Sequence, residues 1–186
     1  DNMPPFTIFM GEEVEASLSL RYLNQPKSEN RTKYRVATKI AEGLVNGLME
    51  EGFDPSYSKK TRYDGGLGHA FARVLKFVSP QAKHAVVPVM VNTYYPPAPS
   101  AQRCVHFGRA LANVLRRIPG DQRVVVVGSG GLSHTKIDEQ LDHGFIQALK
   151  QNDLNYMAAM RASDLVEGTS EIRNWIVTAA AANPFP

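Results

Sequence analysis

Cysteine is almost missing from this chain: Cys104 stands alone among 186 residues. No internal disulfide framework can form, and a reducing, cytoplasmic setting is expected. No apolar run approaches the roughly 20 residues that cross a bilayer, and the start lacks the basic-then-apolar pattern of a secretory signal, so no membrane partner is expected. Charge of one sign is not concentrated. The formal net charge is +3, and the basic residues fall in short pairs, Lys59-Lys60 and Arg116-Arg117, among acidic ones, which argues against nucleic acid as a partner. Internal repeats and low-complexity stretches are absent too. There is no initiator methionine, and Asp1-Asn-Met-Pro-Pro-Phe6 reads as the interior of a longer polypeptide.

What is present is 43% hydrophobic and 21% charged residues, enough for one globular domain over 1–186 with a sizeable core. Residues 1–30 read as irregular around a short strand, Phe6-Thr-Ile-Phe9, and a turn at 22–26. Over 31–51 the apolar residues Val36, Ile40, Leu44, Val45 and Leu48 recur every three or four positions before Gly52, which predicts an amphipathic helix. The β-branched run at 85–91 predicts a buried strand that ends in a loop punctuated by Pro96-Pro97. Ser100 caps an expected helix to about Arg117, and Pro119-Gly120 closes it. Arg123-Val-Val-Val-Val127 predicts a second buried strand leading into Gly128-Ser-Gly-Gly131. Helices follow near 137–149, 152–160 and 170–182, stopped by Asn183-Pro-Phe-Pro186. The fold class expected is α/β, with a mixed or parallel central sheet flanked by helices on both faces. In such sheets ligands sit at the carboxyl ends of the strands.

Gly128-Ser-Gly-Gly-Leu-Ser-His134 therefore presents His134 where a site belongs, on a glycine-rich turn that lets backbone approach a ligand. A phosphate cradle is the rival reading, but the spacing fits neither a dinucleotide fingerprint nor a P-loop. His69 follows another glycine-rich segment, Asp64-Gly-Gly-Leu-Gly. Asn92 sits just past its strand, where it either orients substrate or caps a turn before Tyr94. Tyr94, Tyr95 and Phe71 could line an aromatic pocket, though core packing is the expected role. Glu171, in the expected first turn of the last helix, suits a cap or the helix dipole. His84, His106 and His143 read as surface or packing residues.

Four blocks taken in order change the weight of these residues: Asp64-Gly-Gly-Leu-Gly-His-Ala-Phe71, Val87-Pro-Val-Met-Val-Asn-Thr-Tyr-Tyr-Pro-Pro97, Gly128-Ser-Gly-Gly-Leu-Ser-His134 and Gly168-Thr-Ser-Glu-Ile-Arg-Asn-Trp175. Together they resemble the catalytic subunit of class III extradiol ring-cleavage dioxygenases, the group that includes protocatechuate 4,5-dioxygenase. The resemblance implies Fe(II) held by two histidines and one carboxylate, a catechol substrate, dioxygen as co-substrate, and a homo-oligomer or a small partner subunit. It implies that Glu171 is the carboxylate ligand, His134 the catalytic base and His69 a second histidine at the substrate hydroxyl. Imidazole suits a base because it accepts and returns protons near neutral pH. The family's two iron-binding histidines lie upstream of the matched region, so the expectation is a catalytic domain truncated at its N-terminus and inactive by itself. The alternative is a non-catalytic binding or scaffold relative of the same fold.

Overall fold

A computed structural model describes residues 3–18, 31–61 and 66–182. Its strands are β1 (Phe6–Phe9), β2 (Glu13–Ser17), β3 (Arg31–Arg35), β4 (Ser56–Ser58) and β5 (Val89–Val91). The helices are α1 (Thr38–Glu50), α2 (His69–Val78), α3 (Ala101–Arg117), α4 (Glu139–Gln151), α5 (Leu154–Ala158) and α6 (Ile172–Ala182). The expected turn at 22–26 and the stop at 183–186 lie outside the described residues.

β1 is central to a three-stranded mixed sheet, parallel to β4 and antiparallel to β5. Side chains alternate across a strand, and β1 uses both faces. Phe6 and Ile8 enter a core with Leu44 and Leu48 of α1 and Phe107 and Leu111 of α3. Phe9 enters a second core with Tyr34 and with Ala72 and Leu75 of α2. Helices thus cover both sides of the sheet, as an α/β protein requires. Three rings lock the first core: Phe6 stacks on Phe107 at 3.8 Å between centroids, and Phe53 meets Phe107 edge-on at 5.3 Å. Arg103 lies 4.0 Å over the Phe53 ring, a cation–π contact.

The helix expected over 31–51 begins late. Residues 31–35 form β3, antiparallel to β2, because charged Arg31, Lys33 and Arg35 alternate there with Thr32 and Tyr34, a period of two. Glu15 pairs with Arg31 at 3.1 Å, and Glu13 pairs with Lys33, while Val14, Ala16 and Tyr34 face inward. From Thr38 the period lengthens and Ala41, Leu44, Val45 and Leu48 are buried on one side of α1. Gly52 follows at φ +78°, its N–H donating to the Met49 carbonyl, an αL stop of the expected kind.

Both expected strands after α1 are corrected. Within 85–91 only β5 is regular, and its side chains are half-buried rather than buried. Pro88 has no N–H to give a ladder; its carbonyl instead accepts from Phe9 N–H at 3.0 Å. Residues 123–127 form no strand, and their side chains are exposed. No strand among the described residues pairs with them, and an unpaired edge cannot hold the conformation that the sequence favours.

α3 begins at its Ser100 cap, whose Oγ accepts from Arg103 N–H at 3.1 Å. It crosses two helices at glycines. A Cβ on Gly47 would lie 2.5 Å from Val114 Cγ1, and one on Gly108 would lie 2.3 Å from the Val177 carbonyl oxygen. Cys104 is wholly buried in this region, and burial pushes its thiol up to about 12.

Two outcomes follow from this packing. Gly108→Ala gains helix propensity but drives a methyl into backbone, so it should cost about 1–2 kcal/mol in urea unfolding. Gly43→Ala meets only the end of Ile118 at 3.2 Å and should be neutral or stabilising by a few tenths of a kcal/mol. As for pH, the unfolded Cys104 thiol ionises near 9.0 while the folded one stays protonated to about 12. Its contribution is therefore intact below that lower value and is lost as pH climbs between the two. Unfolding curves at about pH 8 and about pH 11 should show a fall in stability that is smaller in Cys104→Ala.

Candidate functional site

The site is assembled around a loop that is closely packed at Gly128 and Gly130. Gly128, Gly130 and Gly131 lie against the start of α6: added Cβ atoms would fall 2.6 Å from Thr178 Oγ1, 3.0 Å from the Glu171 carbonyl oxygen and 3.8 Å from Glu171 Oε2, respectively. Gly130 also has φ +131°, a conformation open mainly to glycine. Ser129 fastens the loop to the other side, its Oγ donating to the Ala70 carbonyl at 2.6 Å. Ala70 follows His69, the first residue of α2, so the loop joins the His69 end of α2 to the start of α6.

His134 lies at the end of this loop. Its neighbour Ser133 is buried and held by Asp142 of α4, which accepts from the backbone N–H at 2.9 Å and from Oγ at 2.6 Å. His134 Nδ1 is 2.8 Å from the Leu132 carbonyl. A carbonyl only accepts, so the neutral ring carries its proton on Nδ1 and presents Nε2 as the acceptor. A Cβ at Gly131 would lie 3.5 Å from His134 Nδ1 and 3.8 Å from Glu171 Oε2. The two groups are therefore no farther apart than those distances laid end to end, within the roughly 10 Å that one small ligand spans between a base and a second functional group.

Glu171 closes a 3₁₀ turn, Glu167–Glu171, and is not in the first turn of α6 as expected. Thr169 tightens that turn, its hydroxyl donating to the Val166 carbonyl at 2.7 Å and accepting from Val166 N–H at 3.1 Å. No hydrogen bond or ion pair holds the Glu171 carboxylate among the described residues. The capping role does not use it. Beside it Ser170 Oγ and Trp175 Nε1 are buried with no partner.

Asn92 caps its turn: its Oδ1 accepts from Tyr95 N–H at 3.0 Å and its Nδ2 donates to the Tyr95 carbonyl at 2.7 Å. Tyr94 and Tyr95 are exposed, not packed in the core, and their rings meet edge-on at 5.4 Å; the capped turn projects them outward. Phe71 packs partly into the second core. His84 is exposed and hydrogen-bonded to Ser79, and His106 and His143 are exposed on α3 and α4. Residues 62–65, part of the glycine-rich segment before His69, lie outside the described residues.

Two residues that hold the site were not singled out by the sequence. Asp142 looks like an ordinary first-turn acid of α4, and only the fold reveals that it grips Ser133. Arg173 is 4% exposed yet faces no carboxylate. Its guanidinium donates to the carbonyls of Pro99 at 2.8 Å, Leu165 at 2.8 Å, Thr93 at 3.3 Å and Ser170 at 3.3 Å. Burial pushes its pKa down. Its signal in the sequence was its place two residues after Glu171, as the one charged residue of a mostly apolar helix.

Among the described residues no group of three or more His, Cys, Asp or Glu could hold a metal ion. Glu171 is a possible ligand, but this donor set does not by itself fit the Fe(II) that the resemblance implies. A polar cavity of about 140 Å³ adjoins at Gly168, with Lys136, Asp138, Asp164 and Glu167 in its wall; His69, His134 and Glu171 do not line it.

Replacing Arg173 by Leu leaves four carbonyls without their donor, and the cost should be at least about 3 kcal/mol in urea unfolding. Trp175, the single tryptophan, reports on the same place, so its emission should shift in Arg173→Leu under native conditions. An unchanged midpoint and spectrum would remove Arg173 from the support of the site.

Comparison with known proteins bears on the family. The family described as the catalytic LigB subunit of aromatic ring-opening dioxygenase matches residues 1–184. A 2,3-dihydroxyphenylpropionate/2,3-dihydroxicinnamic acid 1,2-dioxygenase of Pseudomonas putida is 33% identical over 135 residues, which are 72% of this chain and 38% of that protein. The corresponding enzyme of Photorhabdus laumondii is 32% identical over 100 residues, 53% of this chain and 30% of that one. A gallate dioxygenase of Pseudomonas putida is 32% identical over 98 residues, 51% of this chain and 28% of that protein. The chain thus spans well under half the length of these relatives. With a match running over 1–184, it belongs to the family of catalytic LigB subunits of aromatic ring-opening dioxygenases.

Proposed function

We propose that this chain supplies part of the active site of an Fe(II)-dependent extradiol dioxygenase that opens a catechol ring beside its two hydroxyls and adds both atoms of dioxygen. The observation that carries this reading is the meeting of His134 and Glu171 at Gly131, where an added Cβ would lie 3.5 Å from His134 Nδ1 and 3.8 Å from Glu171 Oε2. Both groups are available. The carboxylate has no protein partner among the described residues, and the ring offers Nε2.

In this reading His134 Nε2 takes the proton of a substrate hydroxyl, and the Leu132 carbonyl holds the ring in the tautomer that can do so. Glu171 is the one metal ligand that this chain contributes. His69 contacts the second hydroxyl from the end of α2, and Asn92 shapes the turn that turns Tyr94 and Tyr95 toward solvent, where an aromatic substrate can meet them. Bound iron supplies a Lewis acid and a template. Its remaining ligands come from outside these residues, because one carboxylate gives too little affinity. The catechols named for the relatives, dihydroxyphenylpropionate and gallate, set the substrate class. A cytoplasmic enzyme acting as a single catalytic domain, alone in multiple copies or with a small partner subunit, completes the proposal.

Loaded anaerobically with Fe(II), the chain should retain far less than one iron per molecule and should not open catechol. One tightly held iron with turnover would show that the ligands lie elsewhere. In the complete enzyme, Glu171→Ala should lose iron, while His134→Ala should keep iron and lose at least about 100-fold in turnover. Equal iron loss in both would make His134 a ligand rather than a base, and full retention in both would remove Glu171 from the ligand set.

A further inference from the structure

Asp142 holds Ser133 by two bonds of different kinds. One carboxylate oxygen accepts from the Ser133 hydroxyl at 2.6 Å, and the other accepts from the Ser133 backbone N–H at 2.9 Å. The backbone bond reaches beyond Ser133. Its N–H shares a peptide group with the Leu132 carbonyl, and that carbonyl is the acceptor 2.8 Å from His134 Nδ1. A peptide group is planar, and this one is trans, since the cis bond among the described residues joins Pro96 and Pro97. Its N–H and C=O therefore point in opposite directions. The Asp142 carboxylate and the His134 imidazole thus hold the two edges of one rigid plate.

The surroundings keep that plate from turning. Ser133 is buried, and its hydroxyl also accepts from Asp138 N–H at 2.8 Å. Asp138 caps α4 by accepting from Leu141 N–H at 3.0 Å, and its carbonyl accepts from Asp142 N–H at 3.0 Å, so the gripping carboxylate stands on a capped first turn. On the far side the Nδ1 edge of the ring is backed by glycines. An added Cβ would lie 3.0 Å from Nδ1 at Gly168 and 3.5 Å from it at Gly131. His134 itself is exposed, so water competes for both ring nitrogens, and a fixed carbonyl is what selects one of them. A charged acceptor on the N–H side also polarises the amide and strengthens its carbonyl as an acceptor.

We propose that Asp142 is a positioning residue for His134 and acts through the Leu132–Ser133 peptide. The carboxylate fixes the peptide plane, the plane aims the Leu132 carbonyl, and the carbonyl keeps the ring proton on Nδ1 and Nε2 free to accept. In a Ser-His-Asp triad the orienting carboxylate touches the imidazole directly; here one backbone amide stands between them. Asp142 needs no contact with substrate or metal for this role. The inference deepens the proposed function, which supplies the use made of Nε2, while the state of the ring is a property of this chain alone.

The test reads the ring directly, by two-bond proton–nitrogen correlation spectra of this chain with the imidazole neutral, the His134 signals being those lost in His134→Gln. The wild-type chain should show the Nδ1–H pattern; an Nε2–H pattern would overturn the proposal before any variant is made, so the test stands even if a variant fails to fold. Asp142→Ala should lose the pattern and give a mixture of both tautomers. Asp142→Asn keeps an oxygen for the Ser133 N–H and should restore it. Ser133→Ala loses the hydroxyl and keeps the N–H, so it should retain the pattern. An unchanged ring in Asp142→Ala, or a ring released in Ser133→Ala but not through Asp142, would overturn the route through the peptide. In the complete enzyme, Asp142→Ala should lower kcat at least about 10-fold with KM little changed. A ring that changes tautomer without loss of turnover would uphold the positioning and remove His134 as the base, whereas turnover lost with the ring unchanged would overturn the positioning.

Discussion

One buried cation organises the half of the molecule that holds the candidate site. The Arg173 guanidinium is taken out of water without a counter-charge, a costly arrangement unless its donors are met. Four carbonyls meet them, from the segment after β5 at Thr93 and Pro99, from Leu165 and from Ser170. These carbonyls lie on three stretches that share no strand or helix. A planar fork with five donors can reach all of them, which a lysine's point-like ammonium cannot. The turn that ends at Glu171 is thereby joined to the loop that Asn92 caps.

Around that joint the fold uses closeness more than bulk. α3 admits α1 at Gly47 and α6 at Gly108, and α6 in turn admits the 128–131 loop, so a chain of glycine contacts runs from the sheet to the site. Such contacts carry little energy each, yet they set distances to within a few tenths of an ångström, because interiors are close-packed and deform little. Such packing fixes where His134 and Glu171 stand relative to each other.

Much of this was legible in the sequence, and the exceptions have physical causes. The Ser100 cap, the apolar face of α1 and the αL stop at Gly52 are local signals and reappear in the fold. β3 was hidden because Val36 also fits a helical spacing, and the two-residue period of 31–35 decides only when β2 lies beside it. The reading of 123–127 as a strand was right about propensity and wrong about outcome, since a strand depends on a neighbour that propensity does not supply. His134 and Glu171 stand out as candidates from their motifs, whereas Asp142 and Arg173 do not: their partners, Ser133 and four backbone carbonyls, come together only through tertiary contacts.

The fastening of the 128–134 loop at both ends bears on how the molecule moves. Ser129 is attached to α2 and Ser133 to α4, so the stretch between them is a short bridge slung between two helices. A bridge of this kind has little slack, so where His134 stands is tied to where α2 and α4 stand relative to each other.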